Sequence, residues 1–306
     1  MKKIYKYISH NVLELIFTKK DYCGLKFSYP KDYNDPYELF LTIDFKQNEE
    51  MLAFYKEAIG EIPQYPTTCF SNSPLIIPMW AHYGNNHEGF VLEIDINELN
   101  KFNNEYSLIN VNYTDYPNPI IQEKLEYAFY RGKPRDMYFF WNAIEYAAYS
   151  NKQKCWDYEK ETRLVIKNEK LIDNNNGHMI FNIPSKCVTS IIAGSKVKDS
   201  YLNKAELLTK ELNINFFTMK IGKSNSTPYL IKDNKTYVFD LKEIIEGIHF
   251  CSKCNEPIEE FLDKCGWCKI TEKHLEEASF KNPMNLLGQA GILESYLAMM
   301  NSVRKK

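Results

Sequence analysis

No run of about 18 apolar residues occurs anywhere in the chain, so no segment has the length of a membrane-crossing helix. The opening residues MKKIYKYISHNVLELIF carry lysines but neither the long apolar core nor the small-residue cleavage site of a secretory leader. A soluble, cytoplasmic protein with no membrane partner is the expectation. An excess of one charge is also missing: 38 Lys and Arg stand against 40 Asp and Glu, a formal net charge of −2. That balance argues against a general polyanion binder, although a local basic patch can hide inside it. No glycine-rich phosphate loop is present, since the nearest pattern, VTSIIAGSKV, has the single Gly194 between an apolar strand and a helix. His82 and His87 lie five residues apart without a regular metal-ligand spacing. Finally, Cys23, Cys69, Cys155 and Cys187 are scattered, which suits thiols in a reducing compartment better than a disulfide framework.

What is present begins with length. A chain of 306 residues, 44% hydrophobic and 25% charged, suffices for one large globular domain with a small appendage. The appendage carries the most specific motif, HFCSKCNEPIEEFLDKCGWCKI. Its Cys251, Cys254, Cys265 and Cys268 form two C-x-x-C knuckles ten residues apart, the spacing four thiolates need to close a tetrahedron on a structural Zn²⁺. Four protein ligands leave no open coordination position, so catalysis is sought elsewhere. The expected division is an α+β domain over 1–245, a zinc ribbon over 246–272 and a helical tail over 273–306. In that tail Leu286, Leu287, Ile292, Leu293, Leu297 and Met300 recur at helical spacing, suited to docking back or to self-association through the C-terminal helix.

Within the large domain, CWDYEKETRLVIK stands out. Read as a strand, it sets Glu159, Glu161 and Arg163 on one side and Thr162, Leu164 and Ile166 on the other. Strands are expected at Ile4–Ser9, after Gly24, at Thr67–Ser71, Phe90–Ile96, Leu108–Tyr113, over MIFNI, at Val188–Ala193 and over NINFFTMKIG. Helices are expected over Gln47–Gly60, Ile120–Tyr130, Asp136–Tyr149 and Asp199–Leu212, with a helical turn at Met79–Tyr83. Asn34, Asp35 and Pro36 read as a turn, with Asp35 and Glu38 assigned to it ahead of a site role, the asparagines of Asp173–Gly177 as a loop, and 223–241 as a polar linker with a hairpin turn at Asp233 and Asn234. His82 and Tyr83, beside Trp80 on a glycine-bounded loop, read as the wall of a small-molecule pocket. The aromatic stripe Tyr127, Tyr130, Tyr138, Phe139, Phe140, Trp141, Tyr146 and Tyr149 is assigned to packing rather than to stacking on bases beside Arg131, Lys133 and Arg135.

In order, YKYIS, NDPYE, TCFS, MWAHYG with HEGFVLEID, and WDYEKETRLV resemble an uncharacterised bacterial domain family described as of unknown function, over roughly residues 4–195. A second resemblance is to ADP-ribosyltransferases, which place a basic residue on a first strand, a small hydroxyl on a middle strand and an E-x-E pair on a later one. Lys6, Ser71 and Glu159 with Glu161 occupy those places here, lysine standing where the family usually has arginine. The resemblance implies an ADP-ribosyltransferase-like fold of mixed, mostly antiparallel sheets flanked by helices, with NAD as substrate. It implies Glu161 on the ribose, Glu159 on the acceptor, Lys6 and Arg163 toward the dinucleotide, and Tyr7, His82 or Tyr83 against the nicotinamide. A protein or nucleic-acid acceptor is left open, and a toxin or phage-defence role is what such domains suggest. Two alternatives stand beside it: a metal-dependent nuclease using Asp35, Glu159, Glu161 and Lys167, and a non-enzymatic sensor whose ribbon relays binding.

Overall fold

The computed structural model describes residues 2–39, 43–175 and 177–304. In the first strand, β1 (Lys3–Ile8), Ile4 and Ile8 join one apolar cluster while Tyr5 and Tyr7 join another. Period-two alternation has thus put apolar groups on both faces, the mark of a strand covered on both sides. The strands that follow are β2 (Tyr22–Phe27), β3 (Thr67–Ser71), β4 (Phe90–Asp95), β5 (Ser107–Asn110), β6 (Asn112–Tyr113), β7 (Asn151–Lys152) and β8 (Glu161–Val165). Then come β9 (Asp173–Asn175), β10 (His178–Pro184), β11 (Val188–Ala193), β12 (Asn215–Lys220), β13 (Tyr229–Lys232), β14 (Lys235–Phe239) and β15 (Ile244–Glu246). Ten of them form one sheet in the order β15-β14-β13-β12-β11-β4-β1-β3-β8-β5, antiparallel at every junction except β11 with β12.

A second sheet, β2-β10-β9, covers one face of the first. Leu25, Phe27, Phe181 and Ile183 meet Ile4, Leu92, Leu164 and Ile191 in the main core. The helices of the body are α1 (Leu13–Ile16), α2 (Glu49–Gly60), α3 (Ile77–His82), α4 (Ile96–Phe102), α5 (Pro119–Arg131), α6 (Pro134–Ser150) and α7 (Asp199–Leu212). Their ends obey capping chemistry: Asn48 accepts from Met51 N to start α2, Asn118 starts α5, and Gly132 at φ 59° ends it. Met51, Leu125, Phe140 and Ile144 join α2, α5 and α6 in a separate cluster with Val165 of β8. The class is therefore mixed α+β, with one large, mostly antiparallel sheet flanked by helices.

Several expectations need correction. Residues 223–241 are no mere linker, because β13 and β14 extend the ten-stranded sheet. Their turn is the expected one, with Asp233 and Asn234 at φ 50° and 60°, the two positive φ values that suit a two-residue hairpin. The CWDYEKETRLVIK stretch is not one strand. Lys154–Glu159 is a 3₁₀ turn, Lys160 sits at φ 46°, and only from Glu161 does the chain pair as β8. The asparagine loop is partly strand, as β9, with Asn176 outside the described residues. In the aromatic stripe, Phe140 and Tyr149 are core, but Tyr127, Tyr130, Tyr138, Phe139, Trp141 and Tyr146 are exposed. The turn at Asn34–Pro36 forms as read, with Tyr37 N donating to Asp35 Oδ1 at 2.9 Å. The tail is helical, as α8 (Glu272–Lys281), α9 (Pro283–Gln289) and α10 (Leu293–Arg304), and none of these helices buries a residue.

Two glycines fix the geometry around α3. A Cβ on Gly89 would lie 2.2 Å from Ile8 O, and one on Gly194 would lie 2.2 Å from His87 O. The loop after α3 is thus wedged by direct backbone contact between the ends of β1 and β11. The amides of Gly194 and Lys196 donate to Gly89 O and His87 O at 3.0 Å each, so this segment does not offer them as a phosphate cradle.

Candidate active-site cleft

Strands β1 and β3 share one paired position, Tyr5 with Ser71. Beyond it they part, and a cleft of about 500 Å³ opens between them. Ser71 is also paired with Glu161 of β8, so Tyr5, Ser71 and Glu161 sit side by side on one sheet face. Lys6, Tyr7, Ser71, His82, Tyr83, Glu159 and Glu161 all line the cleft. Seven of the eight catalytic or cofactor-binding candidates from the sequence therefore meet in one place. Arg163 does not line it: its guanidinium is fully buried behind Glu161.

The floor is an ionic cluster. Lys152 Nζ lies 2.7 Å from Glu159 Oε2 and 3.3 Å from Glu161 Oε2, while Arg163 Nε reaches Glu161 Oε1 at 2.8 Å and Nη2 reaches Glu38 Oε1 at 2.6 Å. These side chains are between 1% and 8% exposed, so the cations are what make the burial of three carboxylates tolerable. Burial alone would push the Glu161 carboxyl up, but the Arg163 guanidinium and then Lys152 outweigh it and hold it at about 2. Burial wins at Glu159, whose carboxyl is raised despite Lys152 and the Tyr83 hydroxyl, and it wins at Glu38 despite Arg163. The pattern follows from counting: three acids face two cations, and the excess proton affinity falls on the two acids with fewer cationic contacts.

Supporting bonds hold Glu159 and Glu161. Tyr83 OH donates to Glu159 Oε1 at 2.7 Å, and Tyr113 OH accepts from Glu161 N at 2.8 Å. Ser71 Oγ donates to Glu159 O at 2.7 Å and accepts from Ser73 N at 3.2 Å, so it ties β3 to the 3₁₀ turn that presents Glu159. Tyr7 OH donates to Ser73 O at 3.0 Å, and its ring meets Trp80 edge-on at 5.3 Å. Lys6 alternates with Tyr5 and Tyr7, and so belongs to the opposite sheet face from Ser71. Its ammonium donates to Thr68 Oγ1 at 2.7 Å and Cys69 O at 2.9 Å, and burial pulls its pKa down. It is a cleft wall that makes no ion pair with Glu159 or Glu161, although its ammonium feels the Glu161 charge.

Sequence reasoning missed Lys152 and Tyr113, and set Glu38 aside as a turn residue. Lys152 comes to the acids because β6 and β7 pair in parallel at the end of α6. Residue type gave no signal for it, since Lys154 and not Lys152 is the cation directly before CWDYEKE. Of the nuclease candidates, Asp35 is buried in its turn and Lys167 pairs with Glu145 at the surface; neither lines the cleft.

A separate cluster lies near the C-terminus. The Sγ atoms of Cys251, Cys254, Cys265 and Cys268 all fall within 4.8 Å of one another, with Cys254 and Cys265 at 3.7 Å. Four thiolates around a tetrahedral Zn²⁺ at ~2.3 Å would be about 3.8 Å apart, so the set fits a metal such as zinc. Among the described residues no other group of three or more His, Cys, Asp or Glu is so arranged. The knuckles dock on the body: Tyr229 OH donates to Cys254 O, Thr236 Oγ1 to Asn255 O, and buried Glu256 accepts from the amides of Ser224 and Asn225.

No curated protein and no solved structure matches this chain. Residues 79–164, from α3 through α5, α6 and Lys152 to Glu159, Glu161 and Leu164, match the model of a family described as a protein of unknown function (DUF2971).

Proposed function

We propose that the cleft takes a dinucleotide, NAD first among them, and breaks its nicotinamide glycosidic bond, passing ADP-ribose to a nucleophile or to water. The observation that carries this reading is the pair Glu159 and Glu161 at the cleft floor, one carboxyl raised and its neighbour held at about 2. Divergent acids of this kind divide the roles of proton acceptor and fixed anion. In the reaction the C1′–N bond breaks with its electron pair leaving on nicotinamide, and an oxocarbenium-like sugar remains. The incoming hydroxyl or amine bonds to C1′ and gives up its proton.

Glu159 is assigned the chemistry: its raised proton affinity suits it to take that proton and its charge to stabilise the cation. Glu161, with both oxygens facing Arg163 or Lys152, keeps Lys152 charged and in place beside Glu159. Tyr7, His82 and Tyr83 offer rings to the nicotinamide, and Lys6 with Lys26 of β2 offers cations to the pyrophosphate. The four thiols are assigned a structural Zn²⁺, which supplies the folding energy this coreless segment lacks.

Incubation with NAD tests the reading through released nicotinamide. Turnover is expected in the parent protein and a loss of about 100-fold or more in Glu159→Gln, within the range of a lost acid–base group. Full activity in Glu159→Gln would overturn the role assignment. No nicotinamide release and no NAD binding by calorimetry would remove the enzyme reading and leave the cleft to a sensor.

A further inference from the structure

We propose that the α5–α6 hairpin is a docking surface for single-stranded nucleic acid. Six aromatic side chains on these two helices are turned outward, Tyr130, Tyr138 and Tyr146 being 70%, 60% and 65% exposed. A helix that merely packs would bury such rings, and α6 does bury Phe140, Ile144, Ala147 and Tyr149 on its other side. On the outer side Arg135, Tyr138, Phe139, Asn142 and Tyr146 recur at three- and four-residue spacing, which places them on one stripe.

Around the turn between the two helices the exposed charge has one sign, while the exposed acids Glu123 and Glu126 lie earlier on α5. From Tyr127 to Phe139 the cations are Arg131, Lys133 and Arg135, all exposed, and the one acid, Asp136, is buried. Arg131 lies 4.1 Å over the Tyr127 ring, and Lys124 lies 5.7 Å over Phe139, so cations and rings form a continuous array across both helices. Cations that track a phosphate backbone beside aromatic faces that stack on bases are what a single strand needs, and a duplex hides the bases such rings require. A second copy of this chain is the poorer fit. Two-fold pairing about the turn between the helices would set Arg131, Lys133 and Arg135 against themselves.

The inference stands apart from the cleft chemistry, and Glu159→Gln is expected to bind as the parent does. Fluorescence anisotropy with labelled oligo(dT) and oligo(U) of about 16 nucleotides tests it and tells DNA from RNA. Binding is expected to weaken with salt, and an equal length of duplex to bind less tightly. The combined variant Arg131→Ala, Lys133→Ala, Arg135→Ala is expected to lower the logarithmic salt slope by about 2, at about 0.7 per lost phosphate contact. Tyr130→Ala with Tyr138→Ala is expected to weaken binding about 30-fold or more while leaving that slope alone. All five positions are exposed, and an unchanged circular dichroism spectrum will verify the fold. No binding of either oligonucleotide at low salt, or binding unaltered in both variants, overturns the proposal. So does a dimer in sedimentation that the tyrosine variant dissolves, which would assign the face to a second copy.

Discussion

The cleft floor and the C-terminal knuckles face the same electrostatic problem, that of gathering acidic side chains at close range, and they solve it in opposite ways. At the cleft the chain brings its own cations: Lys152 lies between Glu159 and Glu161, and Arg163 between Glu161 and Glu38. At the knuckles the nearby lysines, Lys253, Lys264 and Lys269, are exposed, and the buried acid, Glu256, is occupied by backbone amides. Four thiols within 4.8 Å then need a cation from outside if they are to ionise together. The first site thus carries its own counter-ions, whereas the second is one that a metal such as zinc could complete. Each should therefore fail under a different treatment.

Stripping metal from the four thiols should separate the two regions most strongly. Chelation, or Cys265→Ser, is expected to release one zinc per chain and to unravel 250–270, a loss on the order of 10 kcal/mol confined to that segment. Metal analysis with limited proteolysis would read it. Because β13 and β14 belong to the main sheet, the thermal transition of the body should stay in place. A body that melts with the knuckles would show the two regions to be one cooperative unit.

Next in size comes the inner cation. Arg163→Met leaves Glu161 and Glu38 buried without their guanidinium, and removal of one partner from a buried ion pair costs about 3–5 kcal/mol. Urea denaturation of the variant checks this, and chelators should leave the effect unchanged. A loss below about 1 kcal/mol, the range of exposed ion pairs, would mean the cluster is more hydrated than its burial implies.

How much of this was legible in the sequence depends on the range of the interaction concerned. Strand alternation and helix periodicity are local, and β3, β11 and α7 fall on the residues expected. The knuckles are legible for the same reason, since all four ligands lie within one short segment. Glu159 and Glu161 were placed on one face of a strand, yet they meet through a 3₁₀ turn and a left-handed Lys160, a conformation that no pattern of apolar residues encodes. Lys152 was invisible because its position depends on a two-residue parallel pairing. Lys6, expected toward the dinucleotide from motif order and residue type, does line the cleft, but its alternation with Tyr5 and Tyr7 sets it on the opposite sheet face from Ser71. In the aromatic stripe, composition could not say which rings α5 and α6 would bury against α2 and which they would leave outside.

A smaller effect separates the acids by pH. The Glu161 carboxyl is held at about 2 against an ordinary value near 4.5, so its stabilising contribution is complete above about 4.5 and disappears as the pH falls toward 2. That difference corresponds to about 3 kcal/mol. Unfolding free energies measured across this window should therefore fall more steeply for the parent than for Glu161→Gln, whose amide cannot titrate. Parallel curves would mean that Glu161 is as ordinary as a surface acid.

The smallest predicted change in stability is at Glu159, and its size is the point. A raised carboxyl has the opposite sign: ionisation costs the folded state, the cost is present above its folded pKa, and it vanishes as the pH falls below the unfolded one. Glu159→Gln keeps an oxygen for the Tyr83 hydroxyl and brings the cluster from three acids against two cations to two against two. Stability at neutral pH is expected to stay within about 1 kcal/mol of the parent or to rise, while nicotinamide release collapses. A side chain that costs stability yet is required for turnover is retained for its chemistry. If the glutamine variant is instead destabilised by more than about 2 kcal/mol, Glu159 is a structural partner of Lys152, and both cleft acids belong to the scaffold.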